Sequence, residues 1–168
     1  GAWAQFPSFA KANGLDVNKI KVEPVGFPTR EPMLAEGKVD SVTGYSFSSY
    51  LNLVRLGVPE NDITTILMAD HGLKLYGNAI IVNTDFASAN ADVVKSFLGA
   101  VGKGWKDAVS NPSSAIDALA KRNPAADKKL EERRFNLALS GNVMTDYVLK
   151  NGMGNIDKAR FEAAIAQL

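Results

Sequence analysis

The chain has 168 residues, 46% of them hydrophobic and 22% charged, with a net charge of +1. That length buries one core, or two small ones sharing a hinge, and the near-neutral balance leaves no footprint for nucleic acid. Cysteine is absent and histidine occurs once, at His71, which excludes disulfide scaffolds, thiolate catalysis and cysteine-based metal sites.

No apolar run approaches the roughly 20 residues that span a bilayer. The opening Gly1-Ala2-Trp3-Ala4-Gln5-Phe6 has neither the charged start nor the Met of a leader, so the sequence reads as a processed product or a fragment of a longer protein. Ala2 to Asn13 is expected to be helical, with Trp3, Phe6, Phe9 and Ala10 on one face, Pro7 kinking or delaying it and Gly14 ending it. Lys19 to Val25 reads as a first strand, ending or lying at an edge because of Pro24. Thr29 is placed as the N-cap of a short helix that stops at Gly37. Val39 to Thr43 reads as a second strand, Tyr45 to Leu56 as a helix, Ile63 to Met68 as a third strand and Tyr76 to Asn83 as a fourth.

This alternation predicts an α/β fold with a mostly parallel sheet of βαβ units. Beyond Asn83 the pattern becomes helical. Asn90 is expected to cap a long helix, Ala91 to Ser110, with Val94, Phe97, Leu98, Val101 and Trp105 as its buried stripe. Pro112 opens the next helix, with Ile116 and Leu119 inward, and Asn123-Pro124 breaks it. Leu130 to Leu139 is amphipathic and charge-rich, a solvated helix face ended by Gly141. Met144 to Lys150 makes a short helix, Asn151 to Gly154 a loop, and Lys158 to Leu168 a last helix capped by Asn155 or Asp157.

The pieces Phe9-Ala10-Lys11-Ala12-Asn13-Gly14-Leu15-Asp16, Glu36-Gly37-Lys38-Val39-Asp40-Ser41-Val42, Leu56-Gly57-Val58-Pro59, Tyr76-Gly77-Asn78 through Asn83, Trp105 through Ile116 and Gly152-Met153-Gly154-Asn155-Ile156-Asp157 follow one another in an order that resembles the NMT1/THI5-like (SsuA-type) periplasmic solute-binding proteins of the type II periplasmic-binding-protein fold. The resemblance implies an incomplete two-lobe architecture. Residues 1–75 would form most of lobe two, and residues 76–168 the crossover strand and the helical C-terminal part of lobe one. It implies the solute-binding component of an ABC-type importer, exported to the periplasm or otherwise extracytoplasmic, closing two lobes on a small organic ligand about a crossover near Leu73–Asn78. Its partners would be that ligand, a membrane permease, and a second copy or a missing N-terminal segment pairing with the open sheet edge. No cofactor and no nucleic acid are expected.

Ligands of open α/β sheets sit beyond the carboxyl ends of the strands. That rule selects Phe27 and Thr29 with Gly26 after the first strand, then Thr43, Gly44, Tyr45 and Ser46 after the second. Asp70 and His71, with Gly72, follow the third, and Tyr76 lies at the crossover. Phe27 or Tyr45 could stack on a flat ligand, and Ser46 lies at a helix start that favours an anion or carboxylate. Each has a structural alternative as a turn, packing or capping residue. Arg30-Glu31 either pair with each other or meet a charged ligand.

An enzyme is not expected. One histidine without cysteine makes a zinc site improbable, and neither a Gly-x-Ser-x-Gly elbow nor a Walker loop is present. The pyrimidine synthases on the enzymatic side of the same family carry a cysteine-rich motif that this chain lacks. Two alternatives stay open: the effector-sensing domain of a transcriptional regulator and, less favoured, a THI5-like pyrimidine synthase.

Overall fold

The protein is described by a computed structural model covering residues 2–167; Gly1, and Leu168 at the end of the expected last helix, lie outside the described residues. Helix α1, Ala2–Ala12, runs through Pro7 and carries a row of rings: Trp3 stacks on Phe6 at 5.1 Å, and Phe6 lies 5.9 Å from Phe9. Its end is closed as the sequence suggests. Gly14 takes φ 66, the Gly14 N–H donates to the Lys11 carbonyl and the Leu15 N–H to the Ala10 carbonyl, the paired bonds of a Schellman motif. Helix α2, Phe27–Ala35, starts two residues before the expected cap at Thr29. Gly26 holds the cap position and Pro28 occupies the first turn, where its missing N–H leaves no bond unmade. Gly37 ends it with φ 69. Helix α3, Ser46–Arg55, has Tyr45 as its cap residue and buries Leu51 and Leu53.

Helix α4, Thr84–Ala89, was not expected. The Asn83 side chain accepts from the Asp85 and Phe86 N–H groups and starts it. Helix α5 is Ala91–Ser110, and Asn90 makes no side-chain cap bond to it. Helix α6, Pro112–Arg122, is capped by Asn111 accepting from the Ser114 N–H. Asp127 caps α7, Lys128–Ala138, which passes into a wide turn over Leu139–Val143. Helices α8, Asp146–Asn151, and α9, Lys158–Gln167, complete the order.

The expected parallel sheet of βαβ units is not formed: among the described residues there is no strand. The runs Lys19–Val25, Val39–Thr43, Ile63–Met68 and Tyr76–Asn83 nevertheless hold extended backbone where their ends meet turns or helices. Ile20 has φ −102 and ψ 118, Ile63 φ −102 and ψ 113, Leu67 φ −83 and ψ 119, and Asn83 φ −62 and ψ 134. The β-branched residues set the local dihedrals, but a ladder also needs a second run in register. No backbone hydrogen bond joins any two of the four among the described residues. Their apolar side chains, Val22, Val25, Ile66, Leu67, Ile80, Ile81 and Val82, are exposed. The stripe expected to bury α5 is only partly covered: Val94 and Val101 are half-buried, Phe97 and Leu98 are exposed and Trp105 keeps 37% of its surface.

The chain divides into two compact units, one of residues 2–76 with 156–167 and one of Gly77–Asn155. In the first, Ala10, Leu51, Leu53, Leu73 and Ala164 are buried, and α2 packs on α3. In the second, α4 to α7 pack each on the next and Ile116 is buried. The first unit recovers α9 from the far end of the sequence through specific polar bonds. The Asp157 N–H donates to the Tyr76 hydroxyl oxygen at 2.9 Å. Arg160 donates through Nε to the Lys74 carbonyl at 3.0 Å and through Nη2 to the Leu75 carbonyl at 2.9 Å, with its Cζ 4.5 Å from the Tyr76 ring centroid. Gln167 reaches the Gly72 carbonyl at 3.0 Å.

Removing these bonds should loosen α9 first. Tyr76→Phe is expected to cost about 1 kcal/mol. Arg160→Ala removes two bonds to carbonyls and the ring contact, and should cost about 2–3 kcal/mol. Urea unfolding gives the totals, and hydrogen exchange should report faster exchange of the α9 amides before that of α3.

Candidate functional site

The polar centre of the first unit is Arg30, in the second turn of α2. Its Nε donates to Glu31 Oε1 at 3.0 Å, its Nη1 to the Thr43 carbonyl at 2.8 Å and its Nη2 to Ser49 Oγ at 3.1 Å, with a further short bond from Nη2 to Glu31. One guanidinium therefore joins α2, the bend before α3 and α3 itself. Glu31 is 2% exposed, the only buried charged side chain among the described residues. Burial alone would push its carboxyl up. Hydrogen bonds from Arg30 and Ser49, its own backbone N–H and the Arg30 charge outweigh that and hold it below the usual carboxylate range. The two alternatives the sequence leaves for Arg30-Glu31 thus resolve in favour of the internal pair.

Gly44 permits this arrangement. A Cβ there would clash with Ser49 Oγ and lie 2.9 Å from Arg30 Nη2, so a side chain would force Ser49 or Arg30 to shift. Two aromatic groups flank the network. Phe27 is 79% exposed, with Arg30 Cζ 5.3 Å from its ring centroid. Tyr45 is 49% exposed and stacks on Phe47 at 5.2 Å with 19° between the planes. Phe27 therefore keeps most of its ring exposed, while Tyr45 is partly covered by Phe47. Arg30 spends its donors on the protein, which makes it a positioning residue.

Of the residues singled out in the sequence, Phe27, Thr43 and Gly44 meet around Arg30, while Tyr45, next in the chain, stacks on Phe47. Thr29 is exposed, with its N–H on the Gly26 carbonyl at 3.1 Å. Ser46 is half-buried at the first position of α3. Asp70 and His71 close a short turn, Met68–His71, and His71 is engaged with α1: its ring meets Phe9 edge-on at 6.3 Å and its carbonyl accepts from Asn13 Nδ2 at 2.9 Å. Tyr76 holds α9 through Asp157. Sequence reasoning missed Ser49 and Phe47; the available signal was the spacing of Ser46 and Ser49, one turn apart on the same helix.

Two shallow apolar grooves lie elsewhere. One of about 220 Å³ is lined by Gln5, Leu75, Tyr76, Phe161, Ala164 and Ile165. The other, of about 290 Å³, is lined by Val101, Gly104, Trp105, Ala108 and Phe135. Among the described residues no group of three or more His, Cys, Asp or Glu could hold a metal ion, and no helix is long and apolar enough to cross a membrane.

A family model described as NMT1/THI5 like matches residues 2–115, and the chain belongs to that family. It is also similar to the riboflavin-binding protein RibY of Chloroflexus aurantiacus, 29% identical over 115 residues. Those residues are 68% of this chain and 31% of RibY, so the chain matches under a third of that relative's length. No solved structure matches. The matched region contains α1 to α5 and the whole Arg30 network; α7 to α9 lie beyond it.

Two consequences can be measured. Glu31 contributes stability fully above the carboxylate's unfolded value of about 4.3, and loses it as pH falls through the lower folded value. Glu31→Gln should therefore flatten the acid limb of stability against pH and cost roughly 3 kcal/mol at pH 7, because Arg30 is left uncompensated. Gly44→Ala should cost about 1–2 kcal/mol by displacing Ser49 from Arg30; chemical denaturation across pH 3–7 tests both.

Proposed function

We propose that the chain is part of a solute-binding protein that captures a small, flat aromatic solute, with the rings of Phe27 and Tyr45 stacking on it above the Arg30 base. The observation that carries this reading is the open Phe27 ring, 79% exposed beside a buried, hydrogen-bonded ion pair. An exposed ring beside placed polar groups is the combination that small-molecule sites use. Family membership supports solute binding, and RibY's name supports a riboflavin-like, flat heterocycle. Thr43, Gly44 and Ser46 would supply directional contacts from the bend and the start of α3, and Thr29 a hydroxyl from the first turn of α2. Asp70, His71 and Tyr76 belong to the reading as residues at the edge of the first unit.

The wider reading is the binding component of an ABC-type importer, exported out of the cytoplasm and delivering its ligand to a membrane permease. In it, residues 1–75 and 76–168 serve as parts of two lobes that close on the ligand, with Leu73–Asn78 as the crossover. The chain passes between the two units at Tyr76–Gly77 and again at Asn155–Ile156, which supports a two-stranded hinge. Binding without chemistry suits the family and the relative's name.

Riboflavin is the probe to use first, by calorimetry and by quenching of its fluorescence. Phe27→Ala and Tyr45→Ala should each weaken binding by about 2- to 10-fold, the range of one aromatic stack, while leaving the unfolding midpoint unchanged. Absence of riboflavin binding at millimolar concentration, or binding indifferent to both substitutions, overturns the assignment of this site.

A further inference from the structure

Two asparagines in the chain precede a glycine, in Asn13-Gly14 and Asn151-Gly152. Both are exposed and both lie where a helix ends, with Gly14 at φ 66 after α1 and Gly152 at φ 86 after α8. Such a dipeptide can modify itself, because glycine has no side chain to keep its nitrogen away from the asparagine amide carbon. The reaction needs the glycine N–H free and the asparagine side chain swung towards it. The fold opposes this at both places. The Gly14 N–H donates to the Lys11 carbonyl at 3.3 Å and the Gly152 N–H to the Val148 carbonyl at 2.8 Å. Asn13 Nδ2 donates to the Phe9 carbonyl at 2.9 Å and Asn151 Nδ2 to the Tyr147 carbonyl at 3.0 Å.

What separates the two sites is how much must open to free them. Asn13 Nδ2 also donates to the His71 carbonyl at 2.9 Å, 58 residues along the chain, and the His71 ring meets Phe9 edge-on. Helix α1 is anchored besides by Ala10, which is wholly buried. At Asn151 the side-chain bond and the Gly152 bond both run to α8 itself, a helix of 6 residues that buries none of them. A helix so short does not hold itself together. Its last turn therefore opens at little cost, whereas freeing Asn13 means parting α1 from the Met68–His71 turn. The shorter Gly152 bond does not reverse the order, since it breaks with the turn that contains it.

We propose that Asn151 is a site of spontaneous deamidation in the folded chain, and that Asn13, with the same residue after it, is protected by its tie to His71. The Gly152 nitrogen gives up its proton to base and attacks Asn151 Cγ. The new C–N bond closes a succinimide ring, and Nδ2 leaves as ammonia. Water then adds to one of the two ring carbonyls and breaks its C–N bond, leaving aspartate or isoaspartate with no change of oxidation state. Either product sets a carboxylate at the C-terminus of α8, where the helix dipole disfavours it, and deletes the donor to the Tyr147 carbonyl. The modification does not depend on the ligand reading.

The test uses the full chain, incubated in mildly alkaline buffer and sampled over time by proteolysis and peptide mass spectrometry. The peptide holding Asn151 should convert roughly tenfold or more faster than the peptide holding Asn13. In guanidinium chloride, where neither helix survives, the two rates should converge, because the dipeptides are the same. Phe9→Ala, which removes the ring that His71 meets, should speed conversion at Asn13 and leave the rate at Asn151 unchanged. Equal rates at the two sites of the folded chain overturn the proposal. So does a difference that persists in guanidinium chloride, or an Asn151 still intact in the folded chain when the denatured chain has converted.

Discussion

The first unit depends on one buried ion pair. Arg30 and Glu31 are neighbours in sequence, yet their pairing matters because of what else the guanidinium holds: the Thr43 carbonyl and Ser49 Oγ. Burying a carboxylate is costly, and the attraction of one partner rarely repays it unless the remaining lone pairs and protons are satisfied. Here they are, by Arg30, Ser49 and the backbone. The network fixes the bend at Thr43–Gly44 relative to α2 and α3, and that bend positions Tyr45, while the first turn of α2 positions Phe27. The exposed rings therefore inherit their placement from an ion pair whose carboxylate is buried and whose guanidinium is half-buried.

The second constraint is hydrogen-bond accounting along the extended runs. Backbone groups need partners, and in a sheet they find them across a ladder. Residues 79–82 find none within the described chain, and the side chains that a sheet would bury remain in water. Helices escape this dependence because their bonds are internal to each segment. The observed fold is helical for that reason: each element that can satisfy itself has formed, and each element that needs a distant partner has stayed extended without one.

The same distinction separates what the sequence made legible from what it did not. Gly14 and Gly37 end helices, Asn111-Pro112 starts one and Tyr45 precedes another, because caps and stops are written within a few residues. The family was legible from short pieces spread along residues 9–157, of which the family match covers those up to residue 115. The sheet was not, because alternation in Lys19–Val25 or Ile63–Met68 encodes dihedral preference and says nothing about a partner in register. The α5 stripe erred in the same way: Phe97 and Leu98 mark the face that would be covered, and the sequence cannot say whether anything covers it. Helix α4 was missed although Asn83 with Asp85 two residues on is a capping signal. The resolution of Arg30-Glu31 depended on Gly44 and Ser49, more than a dozen residues away.

Three groups of aromatic rings compete for the role of ligand platform, and their surroundings separate them. Trp3, Phe6, Phe9 and His71 form a continuous row whose members lie from 5.1 Å to 6.3 Å apart, and Tyr45 is likewise stacked on Phe47 at 5.2 Å, so ring neighbours alone do not separate the groups. Trp105 and Phe135 lie 6.5 Å apart in a groove lined by apolar residues, which offers contact area but no polar side chain to orient a solute. Specific small-molecule sites combine an apolar surface with a few placed polar groups. On the proposed reading Phe27 answers the first requirement with an exposed ring, and the hydrogen-bonded Arg30–Glu31 pair beside it, tied to Thr43 and Ser49, answers the second.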